Sequence, residues 1–141
     1  MHLSHLYGNE MKKRRKGRIL NVASVAAFSA GPYMSVYYAS KAFVFSLSQA
    51  MYEELKGYGV SVTALCPGPT GTNFENTAGL TNSKMFKVFG VEKADSVVKR
   101  GYKGMMRGKA IVYHSKVTYG FNIITRLVSR KCARNIAGRI N

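Results

Sequence analysis

Residues 18–41 read RILNVASVAAFSAGPYMSVYYASK, and they contain the change of pattern that decides the fold. Arg18 to Ser24 opens with a short apolar run typical of a buried strand, and residues 25–32 are small and include Gly and Pro. From Tyr33 to Lys56 the apolar residues recur near helical spacing, and a glycine follows. The sequence therefore predicts a strand near residues 19–23, a loop and a long helix.

The rest of the chain predicts further elements of the same kind. Residues 60–66 form a second apolar run that Pro67 and Gly68 end. A strand, a long helical crossover and another strand are the unit of a parallel sheet packed by helices. We predict a third strand at 110–114 and helices at 2–16, near 83–88, at 93–106 and in an amphipathic tail from Tyr119. The fold class is therefore α/β, with about three parallel strands.

Length and composition restrict the class of protein. A chain of 141 residues, 46% of them hydrophobic, is long enough for one domain with one core. No apolar stretch approaches the roughly 20 residues of a membrane-spanning helix, and no signal-peptide pattern follows the basic cluster near the amino terminus. The spacing of Cys66 and Cys132 suggests no metal site. We therefore expect a cytoplasmic protein without a bound metal.

The net charge of +16 is the unusual property of this sequence. It is concentrated in Lys12–Lys16 and in the carboxyl-terminal tail, and no acidic residue follows Asp95. No nucleic-acid-binding signature accompanies the charge, so we prefer a solvated basic surface to a nucleic-acid site. A weak membrane-surface contact of the tail helix stays open, with Ile123, Leu127 and Ile136 toward the lipid.

Tyr37 and Lys41 lie four residues apart at the start of the long helix, which puts both side chains on one face. A phenol titrates near pKa 10, and a nearby ammonium lowers that pKa toward the range useful for general acid–base catalysis. Tyr52 and Lys56 have the same spacing. The spacing by itself is therefore weak evidence for a catalytic pair.

The surroundings separate the two pairs. Ser24 stands thirteen positions before Tyr37, at the carboxyl end of a predicted strand, whereas Ala39 stands thirteen before Tyr52. Residues 67–72, Pro-Gly-Pro-Thr-Gly-Thr, follow the next strand. Open parallel sheets bind ligands at the carboxyl ends of their strands. We therefore expect the first pair to share a site with Ser24 and this segment, and the second pair to lie on the helix surface.

Three stretches, in this order, resemble the second half of the classical short-chain dehydrogenase/reductase family. They are Arg18-Ile19-Leu20-Asn21-Val22-Ala23-Ser24, Tyr37-Tyr38-Ala39-Ser40-Lys41 and Ala64-Leu65-Cys66-Pro67-Gly68-Pro69-Thr70-Gly71-Thr72. The resemblance implies the carboxyl-terminal part of a doubly wound Rossmann-type sheet. It also implies an NAD(P)-dependent oxidoreductase that transfers hydride between the nicotinamide cofactor and a carbonyl or alcohol substrate.

The resemblance implies a role for each matched residue. Tyr37 matches the catalytic acid–base, Lys41 the residue that lowers its pKa and holds the nicotinamide ribose, and Ser24 the hydrogen-bond partner of the substrate oxygen. Residues 67–72 match a segment that lies against the nicotinamide end of the cofactor. The cofactor-binding residues implied in this way are Tyr37, Lys41, Pro67, Gly68 and Thr72.

Residues 73–88 correspond to the variable substrate lid of the family. Within this segment Phe74, Leu80, Met85 and Phe86 suggest a small apolar carbonyl or alcohol as substrate. The resemblance also implies a homo-oligomer for a full-length parent.

Several family features have no counterpart in these residues. They are the Gly-rich phosphate turn, the Asn-Ala-Gly segment, the residue that selects NAD or NADP, and the catalytic asparagine. We therefore expect residues 1–141 to be a partial Rossmann-type domain with the amino-terminal nucleotide-binding half absent, and the isolated chain to be inactive. The alternative is a non-catalytic fragment that acts at most as an interaction or membrane-surface module.

Overall fold

The computed structural model describes residues 2–72 and 84–140. Along the chain the elements are α1 (His2–Lys13), β1 (Gly17–Val22), a 3-10 turn (Val25–Phe28), α2 (Ser35–Lys56), β2 (Val60–Cys66), β3 (Thr70–Gly71), α3 (Met85–Phe89), β4 (Glu92–Lys93), α4 (Ala94–Met106), β5 (Ile111–Tyr113), α5 (Lys116–Leu127) and α6 (Arg130–Ile140).

The centre of the molecule is a three-stranded parallel sheet in the order β1-β2-β5. Gly17 pairs with Val60 at one end of the β1–β2 ladder, and Val22 pairs with Leu65 at the other. On one face of β2, Val60 and Val62 pack against Met51 and Leu55 of α2. The predicted α/β class and the parallel sheet are confirmed.

Helix α4 covers the opposite face of the sheet through two glycines. A Cβ atom on Gly101 would lie 2.7 Å from Cδ2 of Leu65, and one on Gly104 would overlap Val112. Because a carbon contact needs about 3.5–4.0 Å, any larger residue would push the helix off the strands. The helix predicted at 93–106 therefore forms despite its glycines, and these glycines bring it close to β2 and β5.

The tail departs from the prediction of a single helix from Tyr119. Helix α5 begins earlier, after Ser115, whose Oγ accepts a hydrogen bond from the backbone N–H of Thr118 at 3.1 Å. It ends at Leu127, because the next residue, Val128, has extended backbone angles of φ −92° and ψ 158°. The Oγ of Ser129 then accepts from the N–H of Cys132 at 3.2 Å and starts α6. Serine side chains accept hydrogen bonds from the free N–H groups at a helix start. The two caps therefore divide the tail into two helices.

Two further predictions need correction or lie outside the described residues. Helix α2 begins at Ser35 and not at Tyr33, because Tyr33 has a φ of 69°, outside the helical region. The small sheet of β3 and β4 was not predicted, since strands of two residues carry no periodicity. Of the predicted lid, 73–83 lie outside the described residues, and the short helix predicted at 83–88 lies at Met85–Phe89.

Strands β1 and β5 are the two edges of the three-stranded sheet in the described part of the chain. Val22, at the carboxyl end of β1, is 53% exposed. None of the helices among residues 2–72 and 84–140 is long and apolar enough to cross a membrane.

Candidate functional site

The loops that follow β1 and β2 are held together at the carboxyl edge of the sheet. The N–H of Ala23 donates to the carbonyl of Leu65 at 2.8 Å, and the N–H of Val25 donates to the carbonyl of Pro67 at 2.9 Å. Ser24 lies between these two bonds and is buried. Its position is therefore set by the backbone of both loops.

A cavity of about 330 Å³ opens at this edge. All six residues that the sequence assigned to the site line it: Ser24, Tyr37, Lys41, Pro67, Gly68 and Thr72. Its apolar wall comes from β1, α3 and α4, through Val22, Met85, Phe86, Val97 and Val98. The structure thus brings the predicted residues together, although they come from three separate segments of the chain.

Ser24 caps the 3-10 turn that follows β1. Its Oγ accepts a hydrogen bond from the N–H of Ala26 at 3.2 Å. Since the oxygen acts as the acceptor in this bond, the hydroxyl hydrogen of Ser24 can still donate to a group in the cavity.

The ammonium group of Lys41 is held at the end of β1. Its Nζ donates to the backbone carbonyl of Val22 at 3.1 Å and lies 5.7 Å from the centroid of the Tyr37 ring. Burial, which disfavours the charged form, lowers the pKa of Lys41 from its usual value of 10.5. The site therefore contains a cation that is partly removed from water and lies beside a phenol.

The ring of Tyr37 is half-buried in the first turn of α2. It packs against the buried cluster of Ala26, Tyr38 and Ala137, and its centroid lies 6.3 Å from that of Tyr38 in an edge-on arrangement. Tyr38 in turn lies against Gly31, where a Cβ atom would overlap its ring. The loop, α2 and α6 together therefore orient the phenol.

The segment 67–72 is braced from two sides. Within it, Oγ1 of Thr70 donates to the carbonyl of Gly68 at 3.1 Å. From outside, the N–H of Glu92 donates to the carbonyl of Pro69 at 2.9 Å, and β3 pairs with β4. A Cβ atom on Gly68 would come no closer than 3.5 Å to its nearest neighbour, Oγ1 of Thr118. This is an ordinary contact distance, so the position would accept a Cβ atom without displacing its neighbours.

The second Tyr-Lys pair lies at the other end of the molecule. Tyr52 follows Tyr37 by fifteen helical residues, which is roughly 22 Å along the axis. Tyr52 and Lys56 line a different hollow, together with Gly17 and Val60 at the amino ends of the strands. Lys56 is exposed as predicted, but the Tyr52 ring is half-buried against the cluster at the start of β2, so the surface prediction is wrong for the tyrosine.

A buried polar cluster that the sequence pattern did not predict lies beside the site. His114 is 5% exposed, and its Nδ1 lies 3.1 Å from Oε1 of Glu92, off the direction of a good hydrogen bond. Its Nε2 lies 3.2 Å from Oγ of Ser96, and Arg100 donates to its carbonyl. This cluster ties β4, and so the segment 67–72, to the end of β5. The only signal in the sequence was a histidine at the end of a predicted strand.

Comparisons with known proteins agree with this arrangement. Residues 1–83 match the family model for short chain dehydrogenases. The 17-beta-hydroxysteroid dehydrogenase type 3 of Mus musculus is 37% identical over 101 residues, which are 72% of this chain and 30% of the mouse protein. The ketoacyl reductase HetN of Nostoc sp. is 43% identical over 68 residues, 48% of this chain and 24% of that protein.

Solved structures show the same fold. A short-chain dehydrogenase from Sphingobium yanoikuyae, solved in complex with NADPH, superposes with a TM-score of 0.71 at 27% identity. The superposition covers 89% of this chain and 49% of that one. This chain therefore spans about half the length of the solved relative, and its matches cover a smaller part of the two curated relatives.

Proposed function

Because this chain belongs to the short-chain dehydrogenase family, we propose that it carries the catalytic part of an NAD(P)-dependent oxidoreductase acting on a carbonyl or alcohol. The observation that carries the proposal is the cavity at the carboxyl edge of the sheet, where Ser24, Tyr37 and Lys41 meet. Ligand binding at this edge is the rule for open parallel sheets. The Sphingobium yanoikuyae relative, solved with NADPH, supports a nicotinamide cofactor without deciding between NAD and NADP for this chain.

The chemistry of the cavity fits the nicotinamide end of such a cofactor. Its lining includes Lys41 and Tyr37, whose ammonium and hydroxyl groups suit ribose hydroxyls, and several apolar side chains, which suit a flat ring. We assign Tyr37, Lys41, Pro67, Gly68 and Thr72 to this contact. When bound, the cofactor supplies or accepts a hydride; the residues of this chain position it and move the proton.

We assign the proton transfer to Tyr37. In the reducing direction its phenol protonates the substrate oxygen, and in the oxidising direction the phenolate removes that proton. The ammonium of Lys41 lies 5.7 Å from the centroid of this ring, and Tyr37 stands in the first turn of α2, at the helix end that carries a partial positive charge. The hydroxyl of Ser24 donates to the same substrate oxygen and fixes its orientation.

The substrate we propose is small and apolar. Part of the cavity wall is formed by Met85, Phe86, Val97 and Val98. The name of the mouse relative refers to a hydroxysteroid, which is consistent with an apolar wall. A cytoplasmic location and a homo-oligomeric full-length parent stay predictions.

The partial-domain interpretation also stays a proposal. We expect the 141-residue chain alone to bind NAD(P)H weakly, because its sequence contains no Gly-rich phosphate-binding motif. A dissociation constant in the low micromolar range, measured by calorimetry, would contradict this.

The test is a fusion of the amino-terminal part of an active relative to this chain. Tyr37→Phe should lower kcat by about 10² to 10⁴, because one placed acid–base group is removed. Tyr52→Phe removes the same hydroxyl from the other end of α2 and should change kcat little. Equal losses in the two variants would contradict the assignment, and a folded fusion that binds NADPH but reduces no carbonyl would favour the non-catalytic fragment.

A further inference from the structure

One face of helix α5 is apolar and points away from the molecule. Four of its residues form a strip, defined here as the α5 strip: Val117, Ile123, Ile124 and Leu127, which are 49%, 37%, 50% and 82% exposed. The opposite face is buried through Thr118 and Asn122. Single exposed apolar residues are ordinary, but several on one face of one helix mark an interaction surface.

Basic residues surround the α5 strip. Lys116 and Arg126 lie on α5 itself, and Arg130, Lys131 and Arg134 follow in the first turns of α6; all five are exposed. No acidic residue occurs in the sequence after Asp95, so no carboxylate from this part of the chain offsets these charges.

We propose that the α5 strip and the basic start of α6 bind the surface of an anionic lipid membrane. An interfacial helix inserts its apolar side chains at the boundary between headgroups and acyl chains, while Lys and Arg pair with anionic headgroups. Both features lie together here. Helix α5 has only 12 residues, too few to span a bilayer, so the contact we propose is with the membrane surface.

The charge argues against a second copy of this chain as the occupant. Pairing two α5 strips would bring ten basic residues together, five from each copy. The whole chain has only six acidic residues against 22 basic ones, so few carboxylates could neutralise these charges. An anionic bilayer provides both an apolar environment for the α5 strip and negative charges for these cations.

The strip also has a defined position relative to the cavity. Phe121, on the inner face of α5, packs edge-on against Phe89 of α3, with ring centroids 5.3 Å apart. The same helix α3 contributes Met85 and Phe86 to the cavity wall. The proposed membrane-facing surface therefore lies next to the helix that borders the cavity.

The absence of tryptophan from the chain allows a site-specific test. Leu127→Trp places a single indole in the α5 strip, and its fluorescence should shift to the blue when vesicles of phosphatidylcholine and phosphatidylserine are added. Val36→Trp is the matched control, since Val36 is equally exposed at 82% but lies on α2. A blue shift in both variants, or in neither, would overturn the proposal.

Charge variants test the headgroup contact by vesicle flotation, which separates bound protein from aggregates that sediment. The Arg130→Gln, Lys131→Gln double variant should bind about tenfold more weakly or worse, because each cation near an anionic surface contributes to binding. Lys12→Gln with Lys13→Gln removes the same charge from α1 and should change binding little. Salt should also weaken binding, because exposed charges are screened beyond about 10 Å at ordinary salt.

Three results would contradict the proposal. They are equal binding to pure phosphatidylcholine vesicles, equal weakening by the α1 double variant, and a vesicle-free dimer that Leu127→Ser dissociates in analytical ultracentrifugation. The substituted side chains are all exposed, so circular dichroism should show unchanged folding. If the chain alone aggregates, the same variants are measured in the fusion enzyme.

Discussion

The two ends of helix α2 carry the same pair of residue types and place them in opposite surroundings. At the amino end, Lys41 donates to the carbonyl of Val22, and burial lowers its pKa. At the carboxyl end, Lys56 is exposed and bonds to Glu53, whose carboxylate raises its pKa. The chemical role of a Tyr-Lys pair therefore depends on the groups that pack around it, and not on the spacing of the two residues.

The direction of the helix and of the strands explains the difference. The amino end of α2 carries a partial positive charge and lies at the carboxyl edge of the sheet, where loops enclose a cavity. Its carboxyl end carries a partial negative charge and lies at the amino ends of the strands, away from this cavity. Both effects favour acid–base chemistry at Tyr37.

The largest difference in kcat between the two ends of α2 is expected from substitutions of the lysines. In the fusion enzyme, Lys41→Met should lower kcat by about 10² to 10³, because the phenol of Tyr37 loses its nearby cation. The alkaline limb of the pH–rate profile should also change. Lys56→Met should leave both unchanged, and a loss of similar size at Lys56 would remove the distinction between the two ends.

Two serines offer the next comparison. Ser24→Ala should lower kcat about tenfold to a hundredfold, the usual contribution of a hydrogen bond to a charged group. Ser61, which lines the hollow at the amino ends of the strands, serves as control, and Ser61→Ala should have little effect. A Ser24→Ala variant with full kcat would show that the hydroxyl only caps the 3-10 turn.

Substitutions at two glycines should separate an effect on folding stability from an effect on cofactor binding. Gly59 has a φ of 71°, and a Cβ atom there would overlap the carbonyl oxygen of Arg15. Gly59→Ala should therefore cost about 1–2 kcal/mol or more of stability in urea unfolding. Gly68→Ala should be tolerated by the fold and raise the Michaelis constant for the cofactor. The reverse pattern, with stability lost at Gly68 alone, would contradict this division.

The smallest expected effect concerns the thiol of Cys66. It lies at the carboxyl edge of the sheet but is not one of the proposed catalytic groups. Burial raises the pKa of Cys66 from 9.0 to about 12. Below pH 9 the folded and unfolded thiols are both protonated, so the full stability is present. As pH rises from 9 toward 12 only the unfolded thiol ionises, and stability is lost, by about 1 kcal/mol near pH 10.

Urea unfolding at pH 8 and pH 10 measures this loss. Cys66→Ala should reduce the difference between the two pH values, whereas Cys132→Ala, which removes an exposed thiol, should preserve it. An unchanged difference in Cys66→Ala would mean that other groups cause the alkaline loss.

Much of the fold could be predicted because it depends on local pattern. Apolar runs ended by Pro67 and Gly68, or by small residues, define strands, and the helical spacing from Tyr33 to Lys56 defines the crossover between them. A crossover of this length permits parallel pairing, which the register of β1 on β2 confirms. The break in the tail helix was missed, since a serine cap at Ser129 competes with an amphipathic pattern that continues across it.

Sequence pattern alone predicted the residue types of the candidate site, its place at the carboxyl ends of two strands and the common face of Tyr37 and Lys41. Only the tertiary structure decided that Lys41 bonds to Val22, that Glu92 and His114 brace the segment 67–72, and that Ile124 faces outward. The physical reason is distance along the chain. Periodicity reports the neighbours within a turn or a strand, whereas burial, pKa and surface exposure depend on residues that are far apart in the sequence and meet only when the layers pack.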